Sequence, residues 1–299
     1  MLHVCTITTA DYYWKVQALR DSLLAYEPST RLHVLCTDEE ALPAAEGITH
    51  YGLTAVSGEV YGAEILRKYS GDKLRWSLKP VFMAYLLQQG ISKLMYVDND
   101  IYFTAPFSFL EQELESANML LTPHDYPGEP GADSARFEAH FRIGLFNAGF
   151  VGATNAAIPW LNRWASYCVW RCEQSAFRGL YDDQKYLDLL SVVNPGLRIL
   201  RHSGCNVAEW NRHIRPRLRH EGKTLVGNPP QPLVFIHFNR TTCNALLGGE
   251  DAALYPYFEE YVAVLQKYFP GLQAMDLYKA DSYMHRVKRV IRDLFTRYE

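Results

Sequence analysis

The chain lacks any run of the roughly 18 to 20 apolar residues that a bilayer-spanning helix needs. Its early apolar stretch is interrupted by Asp11, Lys15 and Arg20, so no secretory signal peptide is expected. It has no excess of base either. Lys and Arg number 30 against 33 Asp and Glu, a net charge of −3, which argues against a nucleic-acid binder held by a broad basic surface. No C-x-x-C pair occurs among the six cysteines. Cys5 and Cys36 lie in apolar runs and read as buried thiols in a reducing compartment, so a cytoplasmic location is expected. Cys168 and Cys172, one helical turn apart, are spaced for a metal or for core packing, and the core is the preferred reading. Repeats and low-complexity tracts are missing. So are the two glycine-rich phosphate loops, G-x-x-x-x-G-K-[ST] and a G-x-G-x-x-G turn after the first strand. Any phosphate bound here must be held by cations.

What remains, 48% hydrophobic and 21% charged over 299 residues, is ordinary globular material with enough chain for a large core. Residues 2–8 read as a buried strand, 13–26 as an amphipathic helix and 31–36 as a second buried strand. That β-α-β start implies an α/β fold, a doubly wound, mostly parallel sheet flanked by helices. Helical patterning covers 74–89 and closes at Gly90. A strand then ends at Asp98, and others follow at 120–122 and 146–152. Helices are expected over 160–173 and over 182–190, with Asp182 as the cap of the latter. A last strand covers 233–238, and the pattern is helical from Leu254 onward. The Pro- and Gly-rich segment 123–133 is long enough for a loop to suggest a function. The region 123–142, with Tyr126, Phe137, His140 and Phe141, is a candidate ligand cover or ligand platform, and Trp210 reads as a stacking platform or a core residue.

The most informative motif is Asp98-Asn99-Asp100, set between Leu94-Met95-Tyr96-Val97 and Ile101-Tyr102-Phe103. Two acids at the end of a buried strand put negative charge on the carboxyl edge of the sheet, where open α/β folds bind ligands. Residues i and i+2 of an extended chain point the same way, and two facing carboxylates are relieved by a shared divalent cation. Thr8, Thr9, Asp38, Asn147, Asp182, Asp183, Gln184 and His237 mark the ends of other apolar runs. Two carboxylates and one imidazole suit Mn²⁺ or Mg²⁺ better than structural zinc. A cation so held with open positions suits a diphosphate. Lys79, just upstream, is a candidate phosphate contact.

In their order, Thr6 to Tyr13, Leu94 to Ile101, Phe146-Asn147-Ala148-Gly149, Asp183-Gln184 and Ile236-His237-Phe238 resemble GT-A-fold glycosyltransferases. The likeness is to the retaining type of glycogenin and the bacterial lipopolysaccharide galactosyltransferases, and it covers about residues 1–245. It implies a GT-A domain over 1–245 with a helical extension over 246–299. It implies that Ile7, Thr8, Thr9 and Tyr13 hold the nucleoside, with Asp38 and Asn99 beside it. Asp98, Asp100 and His237 would ligate the metal, and Lys79 would contact the donor. Asn147, Asp183, Gln184 and, in a looser match, Asp125 would bind the donor sugar or flank the reacting carbon. The family's G-x-x-K-P-W after the histidine strand is absent, and Arg240 stands in for its diphosphate-clamping lysine. Ala10 stands where the family often has asparagine.

The resemblance implies transfer from a nucleotide-diphosphate sugar, UDP-linked by preference, to a hydroxyl on a glycan, lipid-linked or protein acceptor. Bacterial surface polysaccharide or glycoconjugate synthesis is the expected setting. Two rival readings are a sugar-nucleotide nucleotidyltransferase and a catalytically silent binding protein. The segment 281–299 places Tyr283, Val287, Val290, Ile291, Leu294 and Tyr298 on one helical face and Arg286, Lys288, Arg289, Arg292 and Arg297 largely away from it. Such a helix suits docking on the domain or on a second copy in a homodimer, or peripheral contact with an anionic inner membrane face.

Overall fold

The computed structural model describes residues 2–38 and 42–277. The basic amphipathic segment 281–299 lies outside them. Strands β1 (His3–Thr8) and β2 (Arg31–Cys36) flank helix α1 (Tyr13–Tyr26), and β3 (Ile48–Tyr51) follows. The short helices α2 (Thr54–Ser57) and α3 (Gly62–Lys68) lead to the long α4 (Gly71–Gln88). Next come β4 (Lys93–Val97), β5 (Ile101–Phe103), α5 (Phe109–Glu113) and β6 (Met119–Pro123). Helix α6 (Ser134–Arg142), β7 (Phe146–Thr154) and α7 (Ile158–Trp170) complete the middle of the chain. The hairpin β8 (Glu173–Ser175) and β9 (Leu180–Asp182) precedes α8 (Tyr186–Val193) and β10 (Leu197–Ile199). Strands β11 (Arg217–His220), β12 (Lys223–Val226) and β13 (Gln231–Pro232) form a small antiparallel sheet. The chain then runs through β14 (Phe235–His237), α9 (Arg240–Leu247) and α10 (Tyr255–Tyr268).

Seven strands make the main sheet in the order β10-β6-β7-β4-β1-β2-β3. All are parallel except β7, which runs against both β4 and β6. Strand residues alternate between two cores, as the two-residue period requires. Cys5, Ile7, Leu94 and Tyr96 face α4, α7 and α8, whereas Val4, Val34, Met95 and Val97 face α1. Burial on both faces is why these strands read as unbroken apolar runs. A third core joins α9 and α10 to Tyr102, Ile236 and Phe238. All six cysteines are free and buried, and Cys168 and Cys172 pack in the first core.

Several expectations are corrected. Asp182 does not cap α8; it ends β9 with φ +50°, and its carboxylate accepts from the Gln174 amide at 2.8 Å. The helix expected to reach Glu173 stops at Trp170, because Glu173 is drawn into the β8–β9 ladder. The region 123–142 is not all loop, since Asp133 caps α6 through the Arg136 backbone N–H at 3.0 Å. The last strand is shorter than the expected 233–238, since β14 covers only Phe235–His237.

A buried histidine supplies a pH signature remote from the site. His33 accepts or donates at both ring nitrogens, to His3 at 3.0 Å and to Tyr51 at 3.0 Å. Burial, and then His3, push it from 6.5 down to about 4. Its folded value lies below its unfolded one, so the unfolded chain takes up the proton first as pH falls. Stability from this group is therefore present above about pH 6.5 and lost as pH falls toward 4. His33→Gln should remove that dependence. Between pH 7 and pH 5 the variant is expected to lose about 2 kcal/mol less stability than the parent, read by urea denaturation at both values. Equal losses would show that the imidazole does not stay neutral in the fold.

Candidate active site

Strand ends converge on the carboxyl edge of the sheet. β4 delivers Asp98, and its ladder continues one step further because the Asp98 N–H donates to Gly149 O at 2.9 Å. The chain turns over Asn99 and re-enters as β5, which pairs antiparallel with β14, so that His237 lies opposite Ile101. That pairing brings the imidazole to the acids from far down the chain. His237 Nε2 lies 3.1 Å from Asp100 Oδ1 and 3.8 Å from Asp98 Oδ2. One ligand atom from each of the three residues falls within 4.8 Å of the others. Gly149 makes room for the ring. A Cβ there would sit 2.4 Å from His237 Cε1 and 2.7 Å from Asn147 Oδ1.

The donor set fits a hard or borderline divalent cation. The Asp100 Oδ1 atom is buried without a hydrogen-bond donor, and His237 faces it only as an ion-pair partner. Burial opposes ionisation of Asp100, but His237 outweighs it and holds the carboxyl well below its usual range. For His237, burial is likewise outweighed by Asp100 and then Asp98, which raise it. The cluster keeps its charges in the states an ion pair prefers.

Behind Asp98 stands a second charged group. Lys79, projected from α4 and 5% exposed at its side chain, lies 3.2 Å from Asp98 Oδ1 and 3.6 Å from Asp183 Oδ2. It also donates to Ala148 O at 3.3 Å. Burial favours the neutral amine, yet the Asp183 and Asp98 carboxylates raise its pKa and keep it an ammonium. Asp183 is buried, its Oδ2 lacks a hydrogen-bond partner, and burial pushes it up to about 7 despite Lys79. Neighbouring Asp182 is pushed up to about 6 by burial.

Asn147 and Gln184 form a buried polar net. Gln184 Oε1 accepts from Asn147 Nδ2 and from the Ala148 N–H, both at 3.1 Å. Asn147 Oδ1 accepts from the Gly149 N–H at 3.0 Å and from Asn206 Nδ2 at 3.1 Å. Asn206 also donates to Thr122 Oγ1 at 2.8 Å. His124 donates to Gly144 O at 2.8 Å and stacks on Tyr126. Trp210 is buried, edge-on to His237 at 5.4 Å and to His124 at 5.7 Å.

Not every residue named from the sequence joins this cluster. Thr8 Oγ1 accepts from Asn99 Nδ2 at 3.2 Å, and Asp38 accepts from the Ala10 N–H at 2.8 Å, so these sit together on the strand ends. Ile7 is buried in the first core. Tyr13 is buried too, its hydroxyl tied to Pro43 O at 2.9 Å and to His50 at 3.0 Å. Asp125, at φ +53°, is paired with buried Arg215 at 2.7 Å. Arg240 is exposed at the start of α9, and its charge reaches Tyr181. Sequence reasoning gave no site role to Tyr96, His124 and Asn206. The first two lie in strand and loop text that reads as packing, and Asn206 carries no spacing signal.

Strand order in the main sheet, its one antiparallel strand β7 and an acidic pair on the carboxyl edge define a GT-A fold, a mixed α/β sheet flanked by helices. Mouse xyloside xylosyltransferase 1 has a similar structure, with a TM-score of 0.50 at 17% identity, covering 81% of this chain and 98% of that one. The galactosyltransferase LgtC, solved with donor and acceptor sugar analogues, gives 0.48 at 14% identity over 89% of this chain and 96% of its own. In sequence, the uncharacterised Bacillus subtilis (strain 168) proteins YfnD and YfnF are similar. They are 27% identical over 251 residues and 24% identical over 244, spanning 80% and 79% of this chain and 78% and 80% of theirs. No protein-family model matches the chain.

Proposed function

We propose that the protein is a glycosyltransferase that moves a sugar from a nucleotide-diphosphate donor, a UDP-sugar by preference, to a hydroxyl acceptor. The observation that carries this reading is the Asp98–Asp100–His237 cluster on the carboxyl edge of a GT-A sheet. Mn²⁺ or Mg²⁺ held by those three residues would offset the negative charge that grows on the departing diphosphate. Thr8, Thr9, Asp38 and Asn99 line the strand ends where the nucleoside would rest, with Ile7 and Tyr13 as its packed support. Lys79 supplies a fixed positive charge at the same edge, and exposed Arg240 a second one. Asn147 and Gln184 present a prearranged polar wall toward the donor sugar, and Asp183 lies beside it. The carboxylates beside the cluster are already engaged, Asp98 and Asp183 by Lys79 and Asp125 by Arg215, which disfavours a nucleophile-and-acid pair in the manner of retaining hydrolases. Retention would therefore proceed by same-face attack, with the leaving phosphate accepting the acceptor's proton. Were the outcome inverting, Asp183 or Asp125 would serve as base; Arg215 already engages Asp125.

A bacterial surface glycan or glycoconjugate is the proposed product, with a glycan, lipid-linked or protein acceptor. No described helix is long and apolar enough to cross a membrane. Thermal shift with UDP, GDP and dTDP, each with and without Mn²⁺, tests the donor. UDP with Mn²⁺ is expected to raise the midpoint by several degrees, and UDP alone by much less. At a ligand concentration 100-fold above Kd the linkage corresponds to about 2.7 kcal/mol. No metal-dependent shift with any nucleotide would sink the reading.

A further inference from the structure

We propose that Tyr96 is a positioning residue for the cation site, fixing Asp98 so that one of its oxygens alone faces the ion. The inference rests on the reading of Asp98, Asp100 and His237 as metal ligands. Tyr96 and Asp98 are two residues apart at the end of β4, so their side chains leave the strand on the same side, toward α4. The Tyr96 ring is buried in that core, and its hydroxyl donates to Asp98 Oδ1 at 2.8 Å. Lys79 approaches the same oxygen at 3.2 Å, and its ammonium sits 5.1 Å from the centre of the Tyr96 ring. Oδ1 is thus spent inside the protein. Oδ2 is the oxygen on the His237 side. Turning the carboxylate to offer both oxygens would strip the acceptor from a buried phenol, so the fold imposes single-oxygen ligation. That arrangement suits the compact coordination of Mn²⁺ or Mg²⁺ and disfavours Ca²⁺, which accepts bidentate carboxylates readily.

Titration of the full chain with Mn²⁺ and with Ca²⁺ tests this, using the parent, Tyr96→Phe and Asp98→Ala, with fold checked by circular dichroism. Phenylalanine fills the same space, so Y96F should stay folded. Loss of an orienting partner of a metal ligand typically weakens binding about 10- to 100-fold, and Y96F should weaken Mn²⁺ by at least the lower figure. Ca²⁺ should suffer less, so the preference for Mn²⁺ falls. A merely structural role for the tyrosine would leave that preference unchanged. Parent affinity and preference retained in Y96F, with binding abolished in D98A, would overturn the role of Tyr96 alone. No binding by the parent, or binding undiminished in D98A, would overturn the metal site itself.

Discussion

Asp98→Ala is expected to lower sugar transfer about a thousandfold, measured as release of nucleoside diphosphate with Mn²⁺ present. Such a loss corresponds to about 4 kcal/mol of transition-state stabilisation, the scale of a preorganised charge aimed at a leaving group. The fold should survive. Lys79 keeps Asp183 at 3.6 Å, and removing one of two adjacent acids relieves their repulsion. The buried Tyr96 hydroxyl does lose its acceptor, so about 1–3 kcal/mol of stability goes with it. Asp98→Asn separates the two effects. It leaves an oxygen for Tyr96 and takes away the charge, so stability should return while activity does not. Transfer at parental rates in either variant would remove Asp98 from the chemistry.

How much of this could be read from the residues follows from where each signal resides. Strands β1, β2 and β4 were legible because burial on both faces makes them apolar without interruption. The acids closing β4 stood out against that background. His237 is a different case: its placement depends on β14 pairing with β5, a long-range contact that no local pattern encodes. It was grouped with the acids because it too marks an apolar run and completes a metal-ligand set, and the resemblance to GT-A enzymes implied the same. Lys79 was found as a candidate cation, but its burial between Asp98 and Asp183 was not, since helix α4 reads as amphipathic whichever way the lysine turns. The short strands β3, β8 and β9 and the β11–β13 sheet were missed. Their residues are largely exposed or mixed, and tertiary pairing rather than periodicity makes them strands. Asp182 was read as a cap because acids commonly start helices. Its left-handed backbone at the end of β9 gives it another task.

Gly149→Ala should disrupt the candidate active site directly. The added carbon would lie 2.4 Å from His237 Cε1, 2.8 Å from His237 Nδ1 and 2.7 Å from Asn147 Oδ1. Neither neighbour is free to yield. His237 is held in the β14–β5 ladder with its ring edge-on to Trp210, and Asn147 is bonded to Gln184 and Asn206. Overpacking of this kind costs about 1–3 kcal/mol, and the displaced imidazole should weaken Mn²⁺ binding more than tenfold. Gly131→Ala, where nothing lies within 4 Å of the new carbon, serves as the neutral comparison. Urea denaturation and Mn²⁺ titration of the two variants read the difference. Equal behaviour would mean that the histidine strand can shift freely, and the close approach of backbone to ring would lose its significance.

The pairing of β5 with β14 also bears on how the molecule holds together. Any ion gripped by Asp98, Asp100 and His237 would tie the middle of the sequence to a strand near its end, acting as a reversible staple across a very long loop. Bringing ligands so distant in sequence together costs a free chain much loop entropy, so the unfolded ensemble would hold the ion poorly and binding would favour the native state. Resistance to unfolding should therefore rise and fall with metal supply even when no sugar nucleotide is present.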